Sequence, residues 1–196
     1  MRRIKPTVAD LLADKGGPQK TNVYVDSVAE CAAAEEAGID IITVQDSIMG
    51  SAYRDAAPTA FMVVGLEYGV HATTDDYLRA GFDAMLAGGD AVWSAASLGT
   101  ISRMRDEGIP VVSHVGLIPA RRTWTGGFKA VGKTAESALD VWQLTKALEA
   151  AGAFAIEIEV VPEPVATAIS ARTSMVTISM GSGPHCDACL LYTSPS

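Results

Sequence analysis

The stretch Glu35-Glu-Ala-Gly38-Ile-Asp-Ile-Ile-Thr-Val-Gln45-Asp46-Ser47 decides the fold class. A run rich in Ala and Glu closes on a glycine, a β-branched apolar run follows, and that run ends in polar side chains. Glycine is the residue that closes a helix in the left-handed conformation. An uninterrupted apolar strand is buried on both faces, as strands of parallel sheets are. The same phrase returns at Leu86-Ala-Gly88-Gly, Asp106-Glu-Gly108-Ile and Ala150-Ala-Gly152-Ala, at intervals too irregular for a solenoid. Ser27 with Glu30 reads as a capping box that opens the helix ending at Gly38.

Working outward, the candidate strands are Asn22–Val25, Ile39–Gln45, Ala60–Leu66, Ala91–Ala95, Pro110–Gly116, Ala153–Val161 and Met175–Met180. Strands alternating with helices predict an α/β chain built on a parallel sheet, either an open doubly wound sheet or a closed (β/α)8 barrel. No Gly-x-Gly-x-x-Gly follows the first strand, which weakens a dinucleotide-binding sheet. A TIM-type barrel typically takes roughly 250 residues. This chain of 196 stops soon after the seventh strand, so the expectation is a (β/α)8 barrel that is incomplete, with about seven strands and its last βα unit missing. Residues 1–188 form that single domain. Cys189-Leu-Leu-Tyr-Thr-Ser-Pro-Ser196 reads as a non-native tail. Open strand edges predict a chain that is unstable and inactive alone, or that self-associates into a homo-oligomer.

With 48% apolar and 19% charged residues, the composition excludes disorder and coiled coil. Fifteen basic against twenty-three acidic residues give a net charge of −8, and no Lys/Arg run exceeds Arg2-Arg3 or Arg121-Arg122, so nucleic acid is not an expected partner. The basic start is not followed by a signal-like apolar region, and no eighteen-residue apolar run exists, so neither secretion nor a membrane is expected. Three scattered cysteines, Cys31, Cys186 and Cys189, fit a reducing, cytoplasmic setting.

In a parallel barrel the reactive groups sit at the carboxyl ends of strands. Asp46 and Ser47 close one apolar run, as oxygen ligands suited to Mg²⁺ or as a cap for the next helix. Glu157 and Glu159 alternate onto one strand face, where a carboxylate serves as metal ligand, as general acid or base, or as half of an ion pair. His114 ends another strand, and a binding role there stands against a hydrogen-bonded structural one. Gly127-Phe-Lys-Ala-Val-Gly132-Lys133-Thr134 matches the phosphate-loop pattern but follows a polar loop rather than a strand, which argues against nucleotide binding. His185-Cys186-Asp-Ala-Cys189 has only half the ligands of a zinc site, and there is no Gly-x-Ser-x-Gly elbow.

Together these phrases resemble the ketopantoate hydroxymethyltransferase family. The similarity runs through Lys5-Pro-Thr-Val-Ala, Val-Gln-Asp46-Ser47, Ser-His114-Val-Gly-Leu-Ile-Pro119, Gly126-Gly-Phe-Lys-Ala-Val-Gly132, Ala-Leu-Glu149-Ala-Ala-Gly, Glu159-Val-Val-Pro162 and Ile-Ser-Met-Gly181-Ser-Gly183, and covers the chain to about Asp187. The resemblance implies a barrel of the phosphoenolpyruvate mutase and isocitrate lyase type. In its chemistry Mg²⁺ chelates a 2-oxo acid, 3-methyl-2-oxobutanoate, a base removes the C3 proton, and the enolate attacks the methylene of 5,10-methylenetetrahydrofolate to give 2-dehydropantoate for pantothenate biosynthesis. By resemblance Asp46 is the metal ligand, Ser47 binds substrate and Glu159 is the catalytic glutamate; His114, from its place at a strand end, is expected to bind substrate as well. Gly65 stands where the family places a second aspartate, and Trp93 and Ala95 where it places Lys and Glu. Glu67, two residues beyond Gly65, is expected on the same strand face as a replacement metal ligand. These departures leave open a Mg²⁺-dependent lyase or aldolase of another 2-oxo acid, or a non-catalytic 2-oxo-acid-binding protein.

Overall fold

The computed structural model describes residues 3–191. In chain order the elements are α1 (Val8–Ala13), β1 (Lys20–Tyr24), α2 (Val28–Glu36), β2 (Ile41–Gln45), α3 (Ser51–Ala56), β3 (Phe61–Gly65), α4 (Thr74–Leu86), β4 (Ala91–Trp93), α5 (Leu98–Asp106) and β5 (Val111–Gly116). A 3-10 turn at Pro119–Arg121 leads into α6 (Arg122–Thr125), then α7 (Ala135–Ala151), β6 (Ala155–Glu159), α8 (Glu163–Ser170), β7 (Val176–Met180) and β8 (Ala188–Leu191). All neighbours pair in parallel, and β8 pairs with both β7 and β1, closing an eight-stranded barrel.

The seven-strand expectation is therefore corrected: the barrel is closed, and it runs through Leu191 rather than stopping at 188. Cys189–Leu191, assigned to a tail, lie in β8, while residues 192–196 of that tail lie outside the described residues. What the chain lacks is a helix between β7 and β8. The barrel stagger makes one unnecessary, because Ala188 pairs with Ile178 in the middle of β7, so Gly181–Asp187 has only a short distance to return. The open edges from which instability was argued are paired.

The barrel interior is filled from alternate positions, among them Ile41, Phe61, Val63, Val112, Val176, Ile178 and Leu190, and Leu11 of α1 joins this cluster. The intervening residues, such as Ile42, Val44, Met62, Ile156 and Ile158, face the helices and pack on Ile101, Met104, Leu148 and Ile169. Gly38, Gly88, Gly108 and Gly152 all have left-handed φ at the helix-to-strand junctions. The capping box at Ser27 is only half made. Ser27 accepts from the Glu30 N–H, but the Glu30 carboxylate reaches to the N–H of Asp26 instead.

A recurrent lock sits at the strand beginnings. Asp40, Asp90 and Asp187 each precede a strand immediately (β2, β4 and β8), and each carboxylate accepts a backbone N–H from the strand before it. The donors are Thr21, Met62 and Thr177, each at 2.8 Å. A charged acceptor makes such a bond roughly twice as strong as a neutral one. Among the described residues, no helix is long and apolar enough to cross a membrane.

Candidate functional site

The carboxyl ends of the strands open on a cavity of about 570 Å³, bordered by His114, Glu157, Glu159, Trp93, Tyr68 and Gln45 among others. His114 and Glu157 are 3% and 4% exposed. His114 Nε2 lies 2.9 Å from the Leu117 carbonyl oxygen and 3.0 Å from Glu159 Oε2. Two acceptors face this nitrogen, so it carries a hydrogen. Nδ1 lies 3.2 Å from Glu157 Oε2, in a direction that makes the contact an ion pair rather than an aligned hydrogen bond. Burial disfavours the charged ring, but the two carboxylates outweigh it and raise the pKa of His114 to about 9. The ring is thus an imidazolium at neutral pH.

The Trp93 indole N–H donates to Glu157 Oε2 at 2.6 Å, and the indole meets His114 and Tyr68 edge to face at 5.5 and 5.3 Å. The Tyr68 hydroxyl is buried and has no hydrogen-bond partner. Burial raises its pKa well above the ordinary value, against the pull of Arg121, so it remains a neutral donor beside the cavity.

Local backbone explains why Glu159 sits where it does. Gly116 on β5 pairs with Glu159 on β6 at φ +89°, and a Cβ at 116 would lie 2.3 Å from the Glu159 carbonyl oxygen. That oxygen accepts the Leu117 N–H at 2.9 Å. Val160, the next residue, has φ +47° and is the one non-glycine residue with positive φ among the described residues. For a β-branched residue this is an unfavourable conformation, of order 1–3 kcal/mol, and such outliers gather at functional sites.

Asp46 and Ser47 open on a second, neighbouring cavity of about 290 Å³, together with Glu67 and His71. They lie in a turn after β2 and do not cap α3, whose N-cap is Gly50. Asp46 Oδ2 is 2.9 Å from His71 Nε2, and the His71 ring rests on Tyr77 at 5.2 Å. Glu67 borders both cavities but not by continuing the strand face. β3 ends at Gly65, and the expected same-face alternation ends with it. A Cβ at Gly65 would lie 3.1 Å from Gln45 Oε1, a buried oxygen with no donor, so the Gln45 amide fills the room that a side chain at 65 needs.

The structure thus brings Glu159 and His114 together and, next door, Asp46, Ser47 and Glu67. His114 turns its nitrogens to Leu117 and the two glutamates rather than to open cavity. Asp46 and Glu67 are hard oxygen donors on one cavity, and Mg²⁺ commonly takes one or two protein carboxylates and completes its octahedron with water and substrate. Among the described residues no group of three or more His, Cys, Asp or Glu forms a metal cage. The mouth cavity is bordered by three glutamates and by no Lys or Arg, a wall that suits an anionic substrate only alongside a cation. The donor chemistry therefore fits the ion. His71, Tyr68 and Val160 escape sequence reading because two lie on the loop after β3 and the third is marked only by its backbone.

The phosphate-loop lookalike follows the 3-10 turn and α6, and its Thr134 caps α7 through Ser137. Cys186 is buried in the outer core, and Cys189 is a residue of β8.

The sequence profile of the ketopantoate hydroxymethyltransferase family matches residues 23–194. The 3-methyl-2-oxobutanoate hydroxymethyltransferase of Pyrobaculum calidifontis is 31% identical, over 97% of this chain and 81% of its own length. That of Deinococcus radiodurans is 35% identical, over 81% of this chain and 65% of its own. Among solved structures, 2,3-dimethylmalate lyase, of the phosphoenolpyruvate mutase and isocitrate lyase superfamily, superposes with a TM-score of 0.66 at 11% identity, covering 93% of this chain and 79% of that one. Phosphonopyruvate hydrolase gives 0.65 at 12%, covering 94% and 80%. At these identities the likeness to solved structures is one of fold. The long profile match and the identity to the curated relatives go further: the chain belongs to the ketopantoate hydroxymethyltransferase family, a family of transferases.

Proposed function

We propose that the protein transfers a hydroxymethyl group from 5,10-methylenetetrahydrofolate to 3-methyl-2-oxobutanoate, giving 2-dehydropantoate in pantothenate biosynthesis, as a cytoplasmic homo-oligomer. The observation that carries this reading is Glu159 at the mouth cavity, held against a charged imidazole, in a chain of this family. Glu159 takes the C3 proton of the 2-oxo acid. The resulting carbon nucleophile forms a bond to the folate methylene, water supplies the hydroxyl oxygen, and tetrahydrofolate leaves. Mg²⁺ held by Asp46 and Glu67 would supply a Lewis acid for the 2-oxo carbonyl. Ser47 hydrogen-bonds the substrate, and the Tyr68 hydroxyl is a neutral donor for developing negative charge. Trp93 and Phe128 give the cavity an aromatic wall. Self-association is supported by Phe82 and Leu86, exposed one turn apart on α4.

Exchange of the C3 hydrogen of 3-methyl-2-oxobutanoate in D2O isolates the first half of the reaction. Parent protein with Mg²⁺ is expected to exchange it, and Glu159→Gln to slow exchange by about 10²–10⁴-fold. No exchange by the parent, or equal exchange by the variant, overturns the reading.

The aromatic wall of Trp93, Tyr68 and Phe128 favours a second reading, a Mg²⁺-dependent lyase or aldolase acting on a 2-oxo acid with a larger apolar group. Turnover of such acids without folate would select it.

A further inference from the structure

Glu157 has no part in the chemistry above, yet it is a carboxylate sealed inside the barrel. Burying such a charge costs several kcal/mol unless it is paired and hydrogen-bonded. Its partners are two: the Trp93 N–H at 2.6 Å and His114 Nδ1 at 3.2 Å, both on Oε2. On the far side of the ring, Nε2 meets the Leu117 carbonyl oxygen and Glu159 Oε2 at 2.9 and 3.0 Å. Side chains of β4, β5 and β6 thus form one continuous run, Trp93 to Glu157 to His114 to Glu159, from the barrel wall to the base.

We propose that Glu157, clamped by Trp93, is a positioning residue that keeps the His114 ring charged and oriented, so that its Nε2–H fixes the Glu159 carboxylate toward the substrate. The inference rests on Glu159 being the base. The arrangement works because both ring nitrogens face acceptors. A ring between two carboxylates is held as the cation, and a cation cannot turn over without setting an N–H-bearing nitrogen against a worse partner. The groups facing His114 are Glu157 and Glu159 from β6, the uncharged Trp93 from β4 and the Leu117 carbonyl. Tyr68 packs on Trp93 and is neutral, and Arg121 acts on Tyr68. No Lys or Arg on the cavity wall competes for either glutamate. Glu157 is therefore the one charge next to His114 that the chemistry does not consume, so its effect persists while Glu159 carries a proton.

The test is a titration of the His114 ring by NMR in the full chain, alongside the pH profile of C3 exchange. The parent ring is expected to lose its charge near pH 9, and exchange to fall with it. Glu157→Gln keeps an acceptor for Trp93 and the side-chain shape but removes the charge. It is expected to lower the proton affinity of His114 by tenfold or more and to move the alkaline limb of the exchange profile to lower pH by the same amount. Trp93→Phe keeps a ring but loses the N–H, and is expected to slow exchange about tenfold. A His114 midpoint and alkaline limb unmoved in Glu157→Gln, however slow that variant, overturn the proposal. If Glu157→Gln does not fold, a parent midpoint below 7, or Trp93→Phe exchanging at the parent rate, overturns it. A parent that shows no exchange overturns the functional reading instead, and the NMR titration still decides whether Glu157 holds the charge on His114.

Discussion

A single methyl group at position 116 is expected to disable the site without unfolding the barrel. Alanine at φ +89° costs about 1–2 kcal/mol for the left-handed backbone alone. Its Cβ would lie 2.3 Å from the Glu159 carbonyl oxygen and 2.6 Å from Val161 Cγ2, where carbon contacts normally settle at about 3.5–4.0 Å. β6 must retreat by about 1 Å, and overpacking of this kind adds roughly 1–3 kcal/mol. The sum, about 2–5 kcal/mol, is less than the usual net stability of about 5–15 kcal/mol. At roughly 2–4 °C per kcal/mol for a chain of this size, Tm falls by about 4–20 °C. The retreat also lengthens the Leu117 N–H bond to Glu159 and displaces the carboxylate, and a displacement of about 1 Å is worth about 100-fold in rate. Gly108→Ala is the control. Gly108 has φ +79° but nothing within 4 Å of its Cβ position, so it should lose only the backbone contribution and keep its rate. Thermal melts and C3 exchange of the two variants side by side check this. Gly116→Ala melting with Gly108→Ala and exchanging at the parent rate would refute the reasoning.

The Glu149 carboxylate ties α7 to the start of β7. It accepts from the Ser174 N–H and hydroxyl, both at 2.6 Å, and from Thr173 at 3.1 Å, with Lys146 beside it. Burial acts to raise its pKa, but these bonds outweigh it and lower the pKa to about 2. The folded value lies below the unfolded one, so the stabilisation is complete above about pH 4.5 and disappears as pH falls toward 2. Glu149→Gln should lose about 1.5–3 kcal/mol in urea melts at pH 7 and converge with the parent at pH 2. His114 has the opposite sign. Its raised pKa stabilises fully below about pH 6.5 and ceases to do so as pH rises through 9, so parent melts should weaken across that interval and those of His114→Asn should not. His71→Ala frees Asp46 from its 2.9 Å partner, and calorimetry should show tighter Mg²⁺ binding; weaker binding would mean that His71 orients the carboxylate. Val160→Gly removes about 1–3 kcal/mol of backbone strain against roughly 0.5–1 kcal/mol of added chain freedom, so it should melt at or above the parent temperature while exchanging more slowly.

Seven strands were legible because each follows a helix or a turn, often marked by glycine, and because each is a short run rich in β-branched and apolar residues. The eighth was not, since Ala188-Cys-Leu-Leu191 has no helix before it and is only four residues long. One signal was nonetheless present. Asp187-Ala188 repeats the junctions Asp40-Ile41 and Asp90-Ala91, in which an aspartate directly precedes the strand and locks the strand before it. Strand-end reading picked out both pairs that the fold brings to the carboxyl end of the barrel, Glu159 with His114 and Asp46 with Ser47. It could not tell that the pairs open on two adjoining cavities, because that depends on how the chain leaves β2 and β3. Glu67 shows the limit: alternation predicts its face only while the strand lasts, and the strand stops at Gly65. His71 and Tyr68 lie on the loop where no periodicity applies.

Pairing of β1 with β8 joins Asn22 to Leu190, nearly the two extremes of the described chain. On the ribosome, at roughly 5–20 residues per second, β1 emerges about ten to thirty seconds before the strand that covers its outer edge. For that interval the nascent sheet presents a row of unpaired amides, an edge that recruits chaperones or sister chains. Synthesis halted before Ala188 would leave that edge open for good, so translation products of this protein that stop there should aggregate.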